Sequence, residues 1–348
     1  MRILLVCPEH ITGVEYHRLI IPHTHMKDVT SISSIDHQPD SFFADYDLII
    51  SSSVVSKMGN QELLWKQLKR VGIPVIIDRD DTWILPHSHP MYREWQFKQR
   101  AKDIIYNLTQ ADLVTTTNKH LALEIANYNK KIVVIPNTID FEQPQFIPNP
   151  EIEAMKSDLV HIGWSGSVTH LQDLQLIEGE LLSLNKSEDK DYKLMLAGFY
   201  EHDSIWDKYE KIFTSNYIID DNNYGRINSA DVNSYAQAYN LMDIGLIPLR
   251  NNEFNRCKSD LKLAEMGAFG LGAIVSNVSA YEGLGVHERN CLVSGKKDWY
   301  KSIRRLIENP ELRKDLGSQL KEDVISLRNE SNWRDVRIHI YESIISKK

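Results

Sequence analysis

Short apolar runs rich in β-branched residues alternate with longer amphipathic or polar stretches along the whole chain of 348 residues. Such runs are typical of strands buried on both faces of a parallel sheet, and the stretches between them are typical of crossover helices. The first set is Arg2–Cys7, Tyr46–Ser51, Ile73–Asp78, Leu113–Thr117 and Lys131–Asn137, and the second is Leu159–Gly163, Lys193–Ala197, Tyr217–Asp220, Asp243–Leu249, Gly272–Asn277 and Cys291–Val293. The sequence therefore predicts two similar α/β halves.

The alternation of apolar runs and amphipathic stretches stops between positions 137 and 157. Pro144, Pro148 and Pro150 occur there without sustained periodicity. A proline-rich, aperiodic stretch suits an exposed connection between domains. The last segment spaces Trp333, Val336, Ile340 and Ile344 as one apolar stripe of a helix, which needs a surface to pack on. The predicted division is a first domain over 1–140, a linker over 141–157, a second domain over 158–330 and a final helix over 331–348.

The composition, 42% hydrophobic and 25% charged, is that of an ordinary globular protein. The net charge of −8 gives no general attraction to nucleic acid or to an anionic membrane, although a local basic patch stays open. Three cysteines are too few for a disulfide framework or a cysteine zinc site, which favours a reducing compartment. No run approaches the ~18 apolar residues of a membrane span, so we expect at most peripheral membrane contact.

Ligands of open parallel sheets bind beyond the carboxyl ends of the strands, so the loops after the predicted strands are the candidate sites. After the first strand, the polar stretch 8–18 contains one glycine, Gly13, at which the backbone would approach a ligand. The stretch lacks the G-x-G-x-x-G pattern, which disfavours an NAD-dependent oxidoreductase. Gly13 is equally well explained as a turn residue.

Three carboxylates, Asp78, Asp80 and Asp81, occur within four residues after the third predicted strand. Hard cations prefer carboxylate oxygens, so this Asp-x-Asp pattern would suit a divalent cation held against a nucleotide diphosphate. The alternatives are a catalytic or acceptor-binding role, or a structural corner that pairs with Arg79 and caps the next helix. A cation, a shifted pKa or wide exposure must relieve the repulsion. We assign Asp80 and Asp81 to the catalytic position and assign no metal.

The predicted strand ending at Gly163 leads through small residues into a helical stretch from Leu171. A helix N-terminus there would offer unpaired N–H groups and a favourable dipole to a phosphate. The alternative is a serine or threonine cap without a ligand, with a surface histidine beside it. The candidate phosphate ligands are Ser165, Gly166, Thr169 and His170.

The segment 247–270 is the most informative part of the chain. Arg256 and Lys258 precede a Ser-Asp helix start, and Glu265 lies farther along the same helix. A phosphate would meet the helix N-terminus while Glu265 meets hydroxyls farther along the ligand, a spacing that suits a nucleotide. The alternative is a charged, partly buried helix in which Gly267 and Gly270 permit close packing.

A mixed aromatic and basic stretch covers positions 90–102. Aromatic residues interleaved with cations bind membrane surfaces, glycans or single-stranded nucleic acid. A helix face with snorkelling basic side chains is the commoner explanation.

Three of these stretches, taken together and in this order, resemble the group-1 or family-4-like retaining glycosyltransferases of the GT-B fold. The stretches are Ile135–Asp140 at the exit of the first domain, Gly163–Leu171 at the start of the second, and Asn255–Glu265. Ile-Pro-Asn alone is weakly specific, whereas the ordered set is strongly specific and spans most of the chain.

The resemblance implies an α/β protein with two Rossmann-like domains whose parallel sheets face each other across a cleft, and a C-terminal helix that crosses back to the first domain. The second domain would bind a nucleotide-sugar such as a UDP-sugar, and the first would bind the acceptor. Glu265 matches the family glutamate that binds the donor ribose, and Gly13 would lie between donor and acceptor. The other implied donor contacts are Ser165, Gly166, Thr169, His170, Arg256, Lys258, Ser259, Asp260 and Leu261.

The implied activity is hexosyl or pentosyl transfer to the hydroxyl of a glycan or lipid-linked sugar. Similar enzymes in phages act on a hydroxymethylated or glycosylated DNA base. The resemblance implies no cofactor besides the donor and no required metal. The expected location is the cytoplasm of a bacterial cell or of a phage-infected host.

Two departures from the family pattern keep other functions open. Cys257 stands where the family has an acidic residue eight positions before Glu265, and the usual Arg and Lys are absent from 163–170. Cationic support for the diphosphate would then come from Arg256, Lys258 or Lys262. The alternatives are a nucleotide-sugar epimerase of the same fold and a non-catalytic sugar-nucleotide binding protein.

Overall fold

A computed structural model describes residues 1–8, 11–188, 191–215 and 223–347. The chain forms two compact units. Unit 1 comprises Met1–Thr138, Arg256–Ser259 and Glu330–Lys348, and unit 2 comprises Ile139–Asn255 and Asp260–Asn329. The segment Arg256–Ser259 therefore groups with unit 1, although the sequence interpretation placed it inside a second domain over 158–330.

Unit 1 is built on a six-stranded parallel sheet with the order β2-β1-β3-β4-β5-β6. The strands are β1 (Ile3–Val6), β2 (Val29–Ile32), β3 (Leu48–Ser52), β4 (Val75–Arg79), β5 (Leu113–Thr116) and β6 (Ile132–Val134). All five apolar runs predicted for this half contain strands. The sixth strand, β2, was not predicted, because its polar centre of Thr30 and Ser31 is exposed at the sheet edge.

The helices of unit 1 cover both faces of this sheet. They are α1 (Gly13–Glu15), continued as a π-helix (Tyr16–Ile20), then α2 (Ile21–His23), α3 (Asp40–Phe43), α4 (Gln61–Val71), α5 (Tyr92–Phe97), α6 (Arg100–Gln110) and α7 (Lys119–Ile125). Leu64, Trp65 and Leu68 of α4 pack in one core cluster with Ile49 and Ile77 of the strands. Burial of such side chains is the main driving force for this packing.

The final helix of the chain, Glu330–Ile345, packs on the other face of the unit 1 sheet. Ile340, Tyr341 and Ile344 join the cluster formed by β1 and its neighbours, and His23 Nε2 lies 3.1 Å from the Tyr341 hydroxyl. The predicted crossing of this helix onto the first half is confirmed. The predicted stripe is only partly correct, because Val336 is exposed.

Unit 2 has a second six-stranded parallel sheet, with the order β12-β11-β10-β7-β8-β9. Its strands are β7 (Val160–Ser165), β8 (Tyr192–Phe199), β9 (Tyr224–Asn228), β10 (Ile244–Ile247), β11 (Gly272–Ser276) and β12 (Leu292–Ser294). Five of the six predicted runs match strands, and the run Tyr217–Asp220 lies outside the described residues. The fold class predicted from the sequence is therefore confirmed for both sheets.

The helices of unit 2 surround its sheet. They are α8 (Pro150–Glu153), α9 (Leu171–Leu174), α10 (Glu178–Lys186), α11 (Trp206–Thr214), α12 (Glu253–Arg256, its last residue in unit 1), α13 (Leu261–Ala268), α14 (Trp299–Glu308) and α15 (Pro310–Arg328), so that the unit 1 helix Glu330–Ile345 is α16. Short 3-10 helices occur at Pro144–Phe146, Val168–His170, Gln175–Ile177, Tyr235–Leu241 and Ser279–Tyr281. In the described part of the chain, no helix is both long enough and apolar enough to cross a membrane.

Two facing glycines shape the junction of β7 and β10. Gly163 of β7 pairs with Gly245 of β10. A Cβ at Gly163 would lie 2.2 Å from the sulfur of Met242, and one at Gly245 would lie 2.2 Å from the sulfur of Met266. Since real Cβ atoms do not approach this closely, the two methionines fill the space that both glycines leave.

Candidate functional site

The strand order of unit 2 reverses between β7 and β10. From β7 the chain proceeds through β8 and β9 on one side, and then returns to β10, β11 and β12 on the other. Ligands of open α/β sheets bind beyond the carboxyl ends of the strands at such a reversal. Of the two segments singled out from the sequence, residues 163–170 and 260–265 belong to unit 2 and follow β7 and β10, as expected for a site at this reversal.

The loop after β7 contains candidate phosphate ligands predicted from the sequence. Ser165 ends β7 and is buried, whereas Gly166, Thr169 and His170 are partly exposed. The predicted helical stretch from Leu171 is present, because α9 begins at Leu171 and a 3-10 turn and α10 continue the helical segment to Lys186. The first α-helical part has only four residues, so its own aligned dipole offers little to a phosphate.

Asp173 joins this loop to the loop after β10. Its Oδ2 lies 3.1 Å from His170 Nδ1, and its Oδ1 accepts hydrogen bonds from the Arg250 backbone N–H at 3.0 Å and the Asn255 side-chain amide at 2.9 Å. These bonds fix the orientation of His170 and tie the two loops together. These hydrogen bonds hold the two loops of the candidate site together on one side.

Helix α13 begins at Leu261, as the Ser-Asp start predicted. The Asp260 side chain does not cap this helix, because its Oδ2 accepts a hydrogen bond from Arg328 at 2.7 Å in a buried ion pair. The Asp260 carboxylate is thus directed toward α15. Any contact of Asp260 or Leu261 with a ligand is left to backbone groups.

Lys262, the second residue of α13, lies beside the loop after β7. Its ammonium nitrogen is 4.9 Å from the centre of the Trp164 ring, a cation–π contact. A Cβ at Gly166 would lie 2.7 Å from the same nitrogen and 2.6 Å from the Trp164 ring. Only glycine therefore fits at 166, and its absent side chain lets a cation sit against the loop.

Glu265 is almost completely buried, with 2% of its surface exposed. Its Oε2 accepts a hydrogen bond from the Tyr239 hydroxyl at 2.8 Å, and its Oε1 accepts one from the Tyr235 hydroxyl. Burial raises the pKa of Glu265, while the two tyrosine donors and Lys262 lower it. The carboxylate is a well-held acceptor one turn into α13.

Tyr235 and Tyr239 were missed by the sequence interpretation. They stand four residues apart on the 3-10 helix Tyr235–Leu241, which precedes β10. Nothing in a single sequence links them to Glu265, which lies 30 positions after Tyr235 and 26 positions after Tyr239. The four-residue spacing of two tyrosines just before a predicted strand was the available signal.

Unit 1 holds the remaining candidate residues. The Asn118 side chain donates hydrogen bonds to the carbonyl oxygens of Cys257 at 2.8 Å and Lys258 at 2.9 Å, and Asn137 donates to the Ser259 hydroxyl at 2.9 Å. Lys258 is 3.5 Å from the Asp81 carboxylate, whereas Arg256 is exposed. The Cys257 side chain is buried in the unit 1 core. An acidic side chain at 257 would be buried among apolar neighbours.

Asp78 lies within β4, Asp80 and Asp81 follow it, and the three aspartates have different environments. Both oxygens of Asp78 accept hydrogen bonds from the Arg18 guanidinium, at 2.9 and 2.8 Å, and Thr115 donates to it at 2.6 Å. Burial and the neighbouring Asp81 carboxylate raise the pKa of Asp80 well above its usual range. Within the described residues, no group of three or more histidine, cysteine or acidic side chains is arranged to hold a metal ion.

Gly13 opens α1 after the Thr12 cap, in which Thr12 and Glu15 form a reciprocal capping box. Gly13 is exposed, and a Cβ there would meet nothing within 4 Å. Its backbone is therefore open to a ligand, although its conformation does not require glycine.

No protein-family model matches the sequence, and no curated protein is similar to it. Solved structures do match the fold. A glycosyltransferase from Rickettsia africae is 13% identical with a TM-score of 0.70, the comparison covering 100% of this chain and 99% of that one. HepE from Anabaena, in complex with UDP and glucose, is 12% identical with a TM-score of 0.71, covering 99% of this chain and 100% of HepE.

Sucrose-phosphate synthase from Thermosynechococcus elongatus is 15% identical with a TM-score of 0.69, covering 88% of this chain and 76% of the synthase. These structures have two Rossmann-like halves with parallel sheets, as this chain does. At such low identities the similarity establishes the fold alone. The fold is GT-B, as the resemblance implied.

Proposed function

We propose that the protein is a retaining glycosyltransferase that moves a sugar from a nucleotide diphosphate, such as UDP, to an acceptor hydroxyl. The observation that carries this proposal is Glu265, a buried and fully hydrogen-bonded carboxylate beside the strand reversal of unit 2. Support comes from the shared fold with HepE, which was crystallised with UDP and glucose.

Charge develops on the departing diphosphate as the glycosidic bond breaks. Groups that are fixed before the reaction stabilise this charge more in the transition state than in the ground state. In unit 2 the N-terminal amides of α13 and the Lys262 ammonium are such groups. Lys258 and Ser259, which belong to unit 1, remain separate donor-ligand predictions from the sequence. Glu265 accepts hydrogen bonds from the ribose, and no metal is required by this scheme.

Asp80 is the proposed acceptor base. A carboxyl whose pKa is raised toward the working pH transfers protons more effectively than an ordinary aspartate. Its neighbour Asp81 lies 3.5 Å from Lys258, so we assign Asp81 a role in orienting the acceptor. Gly13, with open space above its backbone, is proposed to contact the acceptor side of the donor sugar.

Replacing Glu265 with alanine is expected to weaken UDP binding by about tenfold to a hundredfold, the loss of one or two hydrogen bonds to a charged group. Titration calorimetry of the wild-type protein and the variant with UDP measures this change. Glu311→Ala, which removes an exposed glutamate of α15, is the matched control and should leave the affinity unchanged. Equal affinities for all three proteins would contradict the proposed nucleotide site.

Incubation with a panel of nucleotide-sugars distinguishes a transferase from an epimerase and from a non-catalytic binding protein. A transferase releases nucleotide and forms a glycosylated product, whose anomeric configuration by NMR reports retention or inversion. An epimerase interconverts sugars and needs no acceptor. A binding protein raises its thermal stability with ligand and turns nothing over.

We propose that the exposed surface of α5 and the residues on either side of it bind the molecule that carries the acceptor. Arg93, Lys98, Arg100 and Lys102 are exposed beside one acidic residue, Glu94, and Phe97 is 86% exposed. Trp95, by contrast, donates a hydrogen bond from its ring N–H to the Trp83 carbonyl, and its side chain is partly buried. A basic and apolar surface on a chain of charge −8 suits an acceptor carried on a polyanion.

We expect the Arg100→Glu, Lys102→Glu double variant to bind a polyanionic carrier about tenfold more weakly, because each lost phosphate contact reduces affinity and its salt dependence. Co-sedimentation with anionic vesicles and titration with duplex DNA at several salt concentrations measure this. Vesicle binding that is lost on Phe97→Ser indicates a lipid-linked acceptor, and DNA binding indicates a base acceptor. Unchanged binding in the double variant would contradict this contact.

A further inference from the structure

The carboxylate of Glu265 is held by two tyrosines that differ in accessibility. Tyr239 is 1% exposed and donates to Oε2, whereas Tyr235 is partly exposed and donates to Oε1. One oxygen of Glu265 is therefore fixed from inside the unit, and the other is covered by a side chain that reaches the surface.

A buried carboxylate needs hydrogen-bond donors, since leaving it unsatisfied is strongly unfavourable. Tyr239 meets this need from within the core, and burial together with Glu265 raises its pKa well above the usual range, so its hydroxyl remains a donor. A ligand hydroxyl has the same chemistry as the Tyr235 hydroxyl. Exchanging one for the other on Oε1 leaves the carboxylate satisfied throughout.

We propose that Tyr239 is a positioning residue that holds Glu265 for a ribose, and that the ribose hydroxyl replaces the Tyr235 hydroxyl on Oε1. The pair would then set a preference for ribonucleotides over deoxyribonucleotides, since a deoxyribose leaves an acceptor unpaired after Tyr235 is displaced. This inference rests on the proposed function and deepens it.

The test compares the affinity for UDP with the affinities for 2′-deoxy-UDP and 3′-deoxy-UDP in three variants. Tyr239→Phe is expected to lower the preference for UDP about tenfold, toward equal binding, because Glu265 loses its fixed donor. Tyr235→Phe removes a competitor, so UDP is expected to bind as tightly as in the wild type or more tightly. Tyr192→Phe is the control, as it deletes another buried hydroxyl of unit 2, bonded 2.9 Å from the Leu184 carbonyl.

A merely structural role for Tyr239 would lower stability without changing the preference, as Tyr192→Phe is expected to do. The inference is overturned if Tyr239→Phe keeps the wild-type preference, or if Tyr235→Phe weakens UDP as much as Tyr239→Phe does. Should the wild-type protein fail to bind UDP or any other nucleoside diphosphate, the proposed function itself falls. Circular dichroism melting confirms that each variant is folded before it is titrated.

Discussion

Replacing Arg18 with methionine is expected to lower the free energy of unfolding by about 3–5 kcal/mol, the cost of leaving one charge of a buried pair without its partner. Arg18 and Asp78 are both almost fully buried, and the guanidinium binds both carboxylate oxygens. Arg18 also donates to the Ile135 carbonyl at 2.8 Å and to the Asn137 side chain at 3.0 Å. Methionine fills similar space and supplies none of these donors.

Arg70→Met is the matched control for this prediction. Arg70 pairs with Asp40 in the same two-bond geometry, at 3.0 and 2.8 Å, but on the surface of the same unit. Exposed pairs contribute little, so the expected change is much smaller than that for Arg18→Met. Denaturant unfolding, with hydrogen exchange in unit 1 as a second readout, measures both. Equal losses would show that burial does not determine the effect.

Removing both partners of the buried pair should cost less than removing either one. The Arg18→Met, Asp78→Leu variant leaves no isolated charge, so we expect it to be more stable than Arg18→Met alone. The double variant still lacks the hydrogen bonds that Arg18 donates to Ile135 and Asn137. These bonds determine how much of the loss in unfolding free energy remains. A double variant as unstable as the sum of both single variants would contradict the electrostatic explanation.

The central strands were predictable because burial on both faces forces an uninterrupted apolar run. Ile3–Val6 and Ile244–Ile247, for example, are buried throughout. Edge strand β2 has two exposed polar residues at its centre, so its sequence carries no such signal. A strand that pairs on one side only is not buried on both faces. It therefore need not have the apolar run by which the other strands were recognised.

The site was predictable where its residues are close in sequence and follow a strand. Gly166 and Glu265 belong to such segments. The contacts that fix these segments are long-range: Tyr239 reaches Glu265 across 26 positions, and Arg18 reaches Asp78 across 60. Asp78 therefore looked like a member of an acidic cluster, although in the structure its charge is neutralised by a residue from another part of the chain. Spacing along the sequence cannot report such pairs.

Lys262→Ala is expected to reduce kcat by about a hundredfold to a thousandfold, the effect of removing one preorganised group from a developing negative charge. The Lys262 ammonium is held by the Trp164 ring at 4.9 Å and lies against the space left open by Gly166. Since it is positioned before the donor binds, its benefit should appear mainly in the transition state. Turnover of a UDP-sugar measures kcat and KM separately, and KM should change much less.

Two further variants make this assignment specific. Lys314→Ala removes a lysine of α15 and is expected to leave kcat unchanged. Trp164→Leu keeps the Lys262 charge but removes the ring that orients it, so we expect an intermediate loss of kcat. If Lys262→Ala turned over donor within threefold of the wild type while Lys258→Ala did not, the diphosphate would depend on the cation of unit 1. The phosphate role would then be assigned to the segment Arg256–Ser259 and not to α13.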